Sequence, residues 1–161
     1  MIKLTDLLTE IVEGKQVGTI YHFTSLRGIL GILTDGFIRS NSENQISTTR
    51  NKDMDLNLLY TDDYEKGELN TRLDLDGDKI SNRYKIRPFQ SDVGFGYEDR
   101  PPVYLGKDEF EEQIITNGKS LPIYPYLKNV VLPPDENDED YGLLDKVMEI
   151  LDEKDIPYEI E

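Results

Sequence analysis

Between Thr19 and Gly36 the chain describes a strand that turns straight into a helix with both ends marked, and this unit narrows the fold to classes that mix the two. Thr19 to Phe23 is dominated by β-branched and aromatic residues, the composition of a strand. Thr24 or Ser25 can then accept a hydrogen bond from the free N–H groups that open the next helix. Leu26, Ile29, Leu30 and Leu33 follow at helical spacing, and Gly36 stands just past the last of them as a stop signal. His22, the only histidine of the chain, sits at this junction, where α/β and α+β folds keep their chemistry.

The 161 residues suffice for one domain with a core and are too few for two comfortable ones, so 1–161 reads as a single domain. Eighteen basic against thirty-three acidic residues give a net charge of −15. That argues against general binding to a nucleic-acid backbone, because such proteins gain affinity by neutralising phosphates. Without cysteine there is no disulfide framework and no thiolate zinc site, which is compatible with a reducing, cytoplasmic setting. Residues 1–14 carry Leu4, Leu7, Leu8 and Ile11 at helical spacing but interrupt them with Asp6, Glu10 and Glu13. They read as an amphipathic helix, neither a secretory segment nor a membrane span.

The middle of the chain reads as β-rich. Asn70 to Leu75 predicts a strand with Leu73 and Leu75 on one face and Arg72 and Asp74 on the other. Asp74, Asp76, Gly77 and Asp78 imitate a calcium loop, but the twelfth position falls on Lys85 where a bidentate glutamate is needed, so a turn is expected. A strand over 82–88 would set Arg83, Lys85 and Arg87 on one face, either an ordinary solvated face or a local basic patch. Residues 91–102 have the glycines, prolines and aromatics of an irregular loop, and Val103 to Leu105 is a short apolar run.

The acidic stretch from Asp108 to Ile115 has two readings. As a helix it pairs Phe110 with Ile114 and leaves its carboxylates in water. As a strand it puts Glu112 on the side of Phe110 and Ile114, with Glu109 and Glu111 opposite. Beyond it come a strand over Asn129 to Leu132, an acidic proline-containing loop over 133–140, a helix marked by Leu143, Leu144, Val147, Ile150 and Leu151, and a final alternation of Ile156, Tyr158 and Ile160. The core thus spans 19–132, and 141–161 adds a helix and a strand.

Two segments, Tyr21-His22-Phe23-Thr24 and Ser47-Thr48-Thr49-Arg50, together resemble the opening of the ADP-ribosyltransferase superfamily, in the manner of its DarT-like and RNA 2′-phosphotransferase-like members. The resemblance covers 19–51 well and 103–115 loosely. It implies an α+β fold, a split β-sheet core with flanking helices, and NAD as the bound dinucleotide. It further implies that His22 holds a ribose hydroxyl, Tyr21 and Thr24 frame the nicotinamide amide, Ser47 and Thr49 orient the adjoining ribose, and Arg50 pairs with the pyrophosphate or a substrate group. In many relatives a late-strand glutamate completes the site. Here Glu112 matches it best, with Glu111 second because a one-residue slip exchanges their faces.

The chemistry explains the residue types. Breaking the nicotinamide glycosidic bond builds positive charge on the ribose, which a carboxylate stabilises more in the transition state than in the ground state. The expectation is an NAD-dependent transferase of ADP-ribose to a macromolecular acceptor, protein or nucleic acid, in a setting of conflict between phage and bacterium. Two alternatives stand beside it. An RNA 2′-phosphotransferase would use the same dinucleotide but needs several basic residues on its RNA. A non-enzymatic acidic protein would imitate nucleic acid and occupy a basic partner.

Overall fold

The computed structural model describes residues 17–41, 44–50, 52, 69–88 and 111–161. The expected N-terminal helix over 1–14, the aromatic loop over 91–102, the apolar run at 103–105 and Glu109 lie outside them. Among the described residues one seven-stranded sheet dominates, in the order β5-β6-β3-β1-β4-β8-β9. Its strands are β1 (Thr19–Thr24), β3 (Gln45–Thr49), β4 (Thr71–Asp76), β5 (Lys85–Pro88), β6 (Glu111–Ile115), β8 (Leu127–Leu132) and β9 (Tyr158–Ile160). Two short strands, β2 (Phe37–Ile38) and β7 (Leu121–Pro122), pair separately. The helices are α1 (Leu26–Asp35), α2 (Gly77–Ser81) and α3 (Leu143–Glu153). The chain is thus α+β, a central sheet flanked by helices.

Local chemistry accounts for the helix ends. Ser25, not Thr24, caps α1, its hydroxyl accepting from the Gly28 N–H at 2.9 Å. At the other end Gly36 takes the left-handed conformation, φ 85°, that releases the chain into β2. The glycine at residue 28 is required by close approach, because a Cβ there would collide with the Thr24 hydroxyl. Helix α3 has no side-chain cap of its own. Glu136 supplies one from the preceding loop, its two carboxylate oxygens accepting the N–H groups of Gly142 at 2.8 Å and Leu144 at 2.9 Å.

Register sorts the side chains of the sheet. Ile20 stands opposite Leu75 and His22 opposite Leu73, so one face of β1 and β4 is apolar apart from the histidine and the Thr24 and Thr71 pair at the strand end, while Tyr21 stands opposite Asp74 and Phe23 opposite Arg72. Ile20, Leu73 and Leu75 are fully buried and join Ile46, Ile114, Val130 and Leu132 with Leu26, Ile29 and Leu33 of α1 and Val147 and Leu151 of α3 in one core. Each fully buried leucine or isoleucine contributes roughly 1.5 to 3 kcal/mol relative to an exposed one. Strand β9 runs parallel to β8 and forms one edge of the main sheet, with α3 as the crossover between them.

Of the two readings of the acidic stretch the strand is the one formed, over Glu111–Ile115, paired on both sides by β3 and β5. Interstrand hydrogen bonding outweighs the helical spacing of Phe110 and Ile114. The turn expected at Asp76–Asp78 is the start of α2, capped by the Asp76 carboxylate accepting from the Lys79 N–H at 3.2 Å. Asp78 reaches back to accept the N–H groups of Val17 at 2.7 Å and Gly18 at 3.0 Å. Arg83 does not belong to the following strand. Its N–H donates to the Ile80 carbonyl at 3.0 Å in the turn that closes α2, so the three alternating cations do not share one strand.

Candidate functional site

The sheet is nearly divided between β1 and β3. Among the described residues strand β1 makes six residue pairs with β4 but meets β3 at one, Tyr21 opposite Thr49, and β3 makes five with β6. One half, β5-β6-β3, therefore diverges from the other, β1-β4-β8-β9. The split β-sheet expected from the sequence takes this form.

Across the divergence His22 Nδ1 donates to the carbonyl oxygen of Ser47 at 2.9 Å, one residue from the single ladder pair. A carbonyl oxygen only accepts, so the bond assigns the ring proton to Nδ1 and leaves Nε2 of the neutral ring as an acceptor. His22 is partly buried. Desolvation pushes its pKa below the ordinary histidine value of 6.5, and the Ser47 hydrogen bond opposes this without cancelling it. At neutral pH the imidazole is therefore uncharged, with one nitrogen occupied and the other an acceptor.

The remaining candidates fall around this line. Ser47 is exposed on β3, Thr48 and Thr49 are buried, Thr49 being the residue paired with Tyr21, and Arg50 is exposed just past the strand end. Cα of Glu112 pairs with Thr48 and that of Glu111 with Thr49. Ladder parity thus groups positions 22, 48 and 112, and separately 21, 49 and 111. The structure brings these segments side by side, with His22 and Thr48 on one face of the sheet and Tyr21, Ser47 and Thr49 on the other. Thr24 departs from this group. Its hydroxyl lies against the first turn of α1 beside Gly28, so only its main chain is left to face a ligand at the strand end.

Sequence reasoning passed over a buried charged pair on the opposite face. Arg72 donates from Nε to Asp74 Oδ1 at 2.7 Å and from Nη2 to Oδ2 at 3.2 Å, both side chains being 12% exposed. Asn129 Nδ2 also donates to Oδ2, at 3.1 Å. Burial alone would lower the Arg72 pKa, but the hydrogen bonds and charge of Asp74 outweigh it and the net shift is upward. The detectable signal was opposite charges at i and i+2 between buried leucines, which alternation puts side by side on one face. Among the described residues no group of histidine, aspartate or glutamate is arranged to hold a metal, and no helix is long and apolar enough to cross a membrane.

No protein-family model matches the chain, and no curated protein does. Its fold is similar to that of DarT from Thermus sp. 2.9, solved in complex with NAD+, with a TM-score of 0.55 at 12% sequence identity. The similarity covers 89% of this chain and 94% of that one. It shows a DarT-like fold.

Proposed function

We propose that the chain binds NAD along the divergence between β1 and β3 and transfers ADP-ribose to a macromolecular acceptor. The observation that carries this reading is the His22 to Ser47 hydrogen bond across the split, in a fold shared with a protein solved with NAD+. The donor set fits a dinucleotide. A neutral imidazole nitrogen accepts from a ribose hydroxyl, a serine hydroxyl takes either role, and an arginine fork suits a pyrophosphate.

NAD would supply an anomeric carbon whose bond to nicotinamide breaks with positive charge building on the ribose. Every other requirement falls to the chain. His22 Nε2 fixes a ribose hydroxyl, Ser47 and Thr49 orient the sugar, and Tyr21 with the main chain of Thr24 frames the nicotinamide amide. Arg50 holds the pyrophosphate or a group of the acceptor. A carboxylate at Glu112 favours the developing positive charge and takes the proton of the incoming nucleophile. Glu112 is the closer match to the late-strand glutamate of the resemblance; position 112 has the parity of His22, and position 111 that of Tyr21 and Thr49.

Three measurements test this reading. Calorimetry reports whether NAD binds, a nicotinamide-release assay whether the glycosidic bond is broken, and mass spectrometry of lysate protein and nucleic acid where ADP-ribose is added. Absence of NAD affinity at millimolar ligand overturns it.

A further inference from the structure

The Arg72 cluster ties together the two segments that the NAD reading uses, although Arg72 belongs to neither. Its guanidinium carbon lies 4.9 Å from the centroid of the Tyr21 ring on β1. Its Nη1 donates to the carbonyl oxygen of Lys52, two residues past Arg50, at 3.4 Å. The Nε and Nη2 edge is committed to Asp74, which Asn129 on β8 steadies in turn. One planar cation therefore touches a ring on one side of the split and the chain leaving β3 on the other. Among the described residues strands β1 and β3 share one ladder pair, Tyr21 with Thr49.

We propose that Arg72 is a positioning residue for the dinucleotide site, holding the Tyr21 ring and the segment after Arg50 in register across the split. This role rests on the NAD reading above. A guanidinium suits it because the planar fork grips Asp74 at two points while its face lies on an aromatic ring, which an ammonium does not reproduce. Arg72 touches no reacting atom, and its effect falls on binding.

The test compares the full chain with Arg72→Lys, which keeps a charge beside Asp74 but loses the fork, and with the double variant Arg72→Leu, Asp74→Leu, which leaves no buried carboxylate unpaired. Each is read by thermal melting, by NAD calorimetry and by steady-state nicotinamide release. The expected result is a melting temperature close to that of the unmodified chain, NAD affinity lower by about tenfold or more, and a matching rise in KM with kcat unchanged. A folded variant that binds NAD as the unmodified chain does overturns the positioning role and leaves the NAD reading standing. So does a loss confined to kcat. If neither variant folds, the cluster serves stability and the positioning role is overturned. An unmodified chain without NAD affinity overturns the NAD reading, and this role with it.

Discussion

The imidazole of His22 and the carbonyl oxygen of Ser47, 2.9 Å apart, join two halves of a sheet where the main-chain ladder has all but stopped. A side chain does there what backbone pairing does elsewhere in the sheet. It also selects one tautomer, so the outward nitrogen accepts hydrogen bonds as long as the ring stays neutral.

Replacing His22 by alanine should weaken NAD binding. One or two lost hydrogen bonds correspond to roughly 1 to 3 kcal/mol, about 5- to 150-fold in affinity. Calorimetry on the two proteins at pH 7.5 decides it, and equal affinities would remove His22 from the site.

The same residue predicts a pH dependence. The folded pKa lies below the ordinary 6.5, so the unfolded chain binds more protons between the two values. The contribution of His22 to stability is then fully present above pH 6.5 and is lost as pH falls through the folded pKa. NAD affinity should fall over the same acidic range, because protonation turns the Nε2 acceptor into a donor. His22→Gln should flatten both profiles, read by melting and by calorimetry across pH. Unchanged profiles would mean that another group titrates there.

Glu112→Gln keeps size and removes the charge. Nicotinamide release should drop by about a hundredfold or more, with NAD affinity little changed. Should Glu111→Gln abolish turnover while Glu112→Gln leaves it intact, the carboxylate follows the parity of Tyr21 and not that of His22. Full release in both variants would place the carboxylate elsewhere in the chain.

Gly28→Ala drives a Cβ into the Thr24 hydroxyl at the first turn of α1. An expected loss of about 1 to 3 kcal/mol follows from overpacking, measured by urea denaturation. The double variant Gly28→Ala, Thr24→Ala should recover much of it, since the colliding oxygen is gone.

Glu136 accepts two N–H groups at the start of α3, and those bonds hold its pKa below the ordinary glutamate value of 4.5. Its contribution to stability is present above pH 4.5 and is lost as pH falls through the folded pKa. Glu136→Gln should lower the melting temperature at neutral pH and narrow the gap as the solution is acidified. A constant gap would show that the loss is not electrostatic.

Local signals carried much of the reading. Ser25 and Gly36 mark the bounds of α1 because capping and left-handed backbone depend on one or two residues each. The leucine alternation in β4 and the spacing in α3 likewise express burial on one face. The order of strands was not legible, since β3 lies beside β1 and β6 through contacts remote in sequence. For the same reason residues 111–115 could not be separated from a helix before their partners on β3 and β5 were known. Arg72 was placed on the correct face, yet its tie to Tyr21 and Lys52 depends on how three segments meet.

A sheet that changes from five or six paired residues to one at its centre has a preferred line of parting. Amides on that line should exchange with solvent sooner than those of either half, because fewer bonds must open together to expose them. Each half keeps its own ladders and can shift slightly as a unit without unfolding. Side chains, His22 and Arg72 among them, then tie the two halves together, and substitution there should loosen the line while the ladders of each half stay intact.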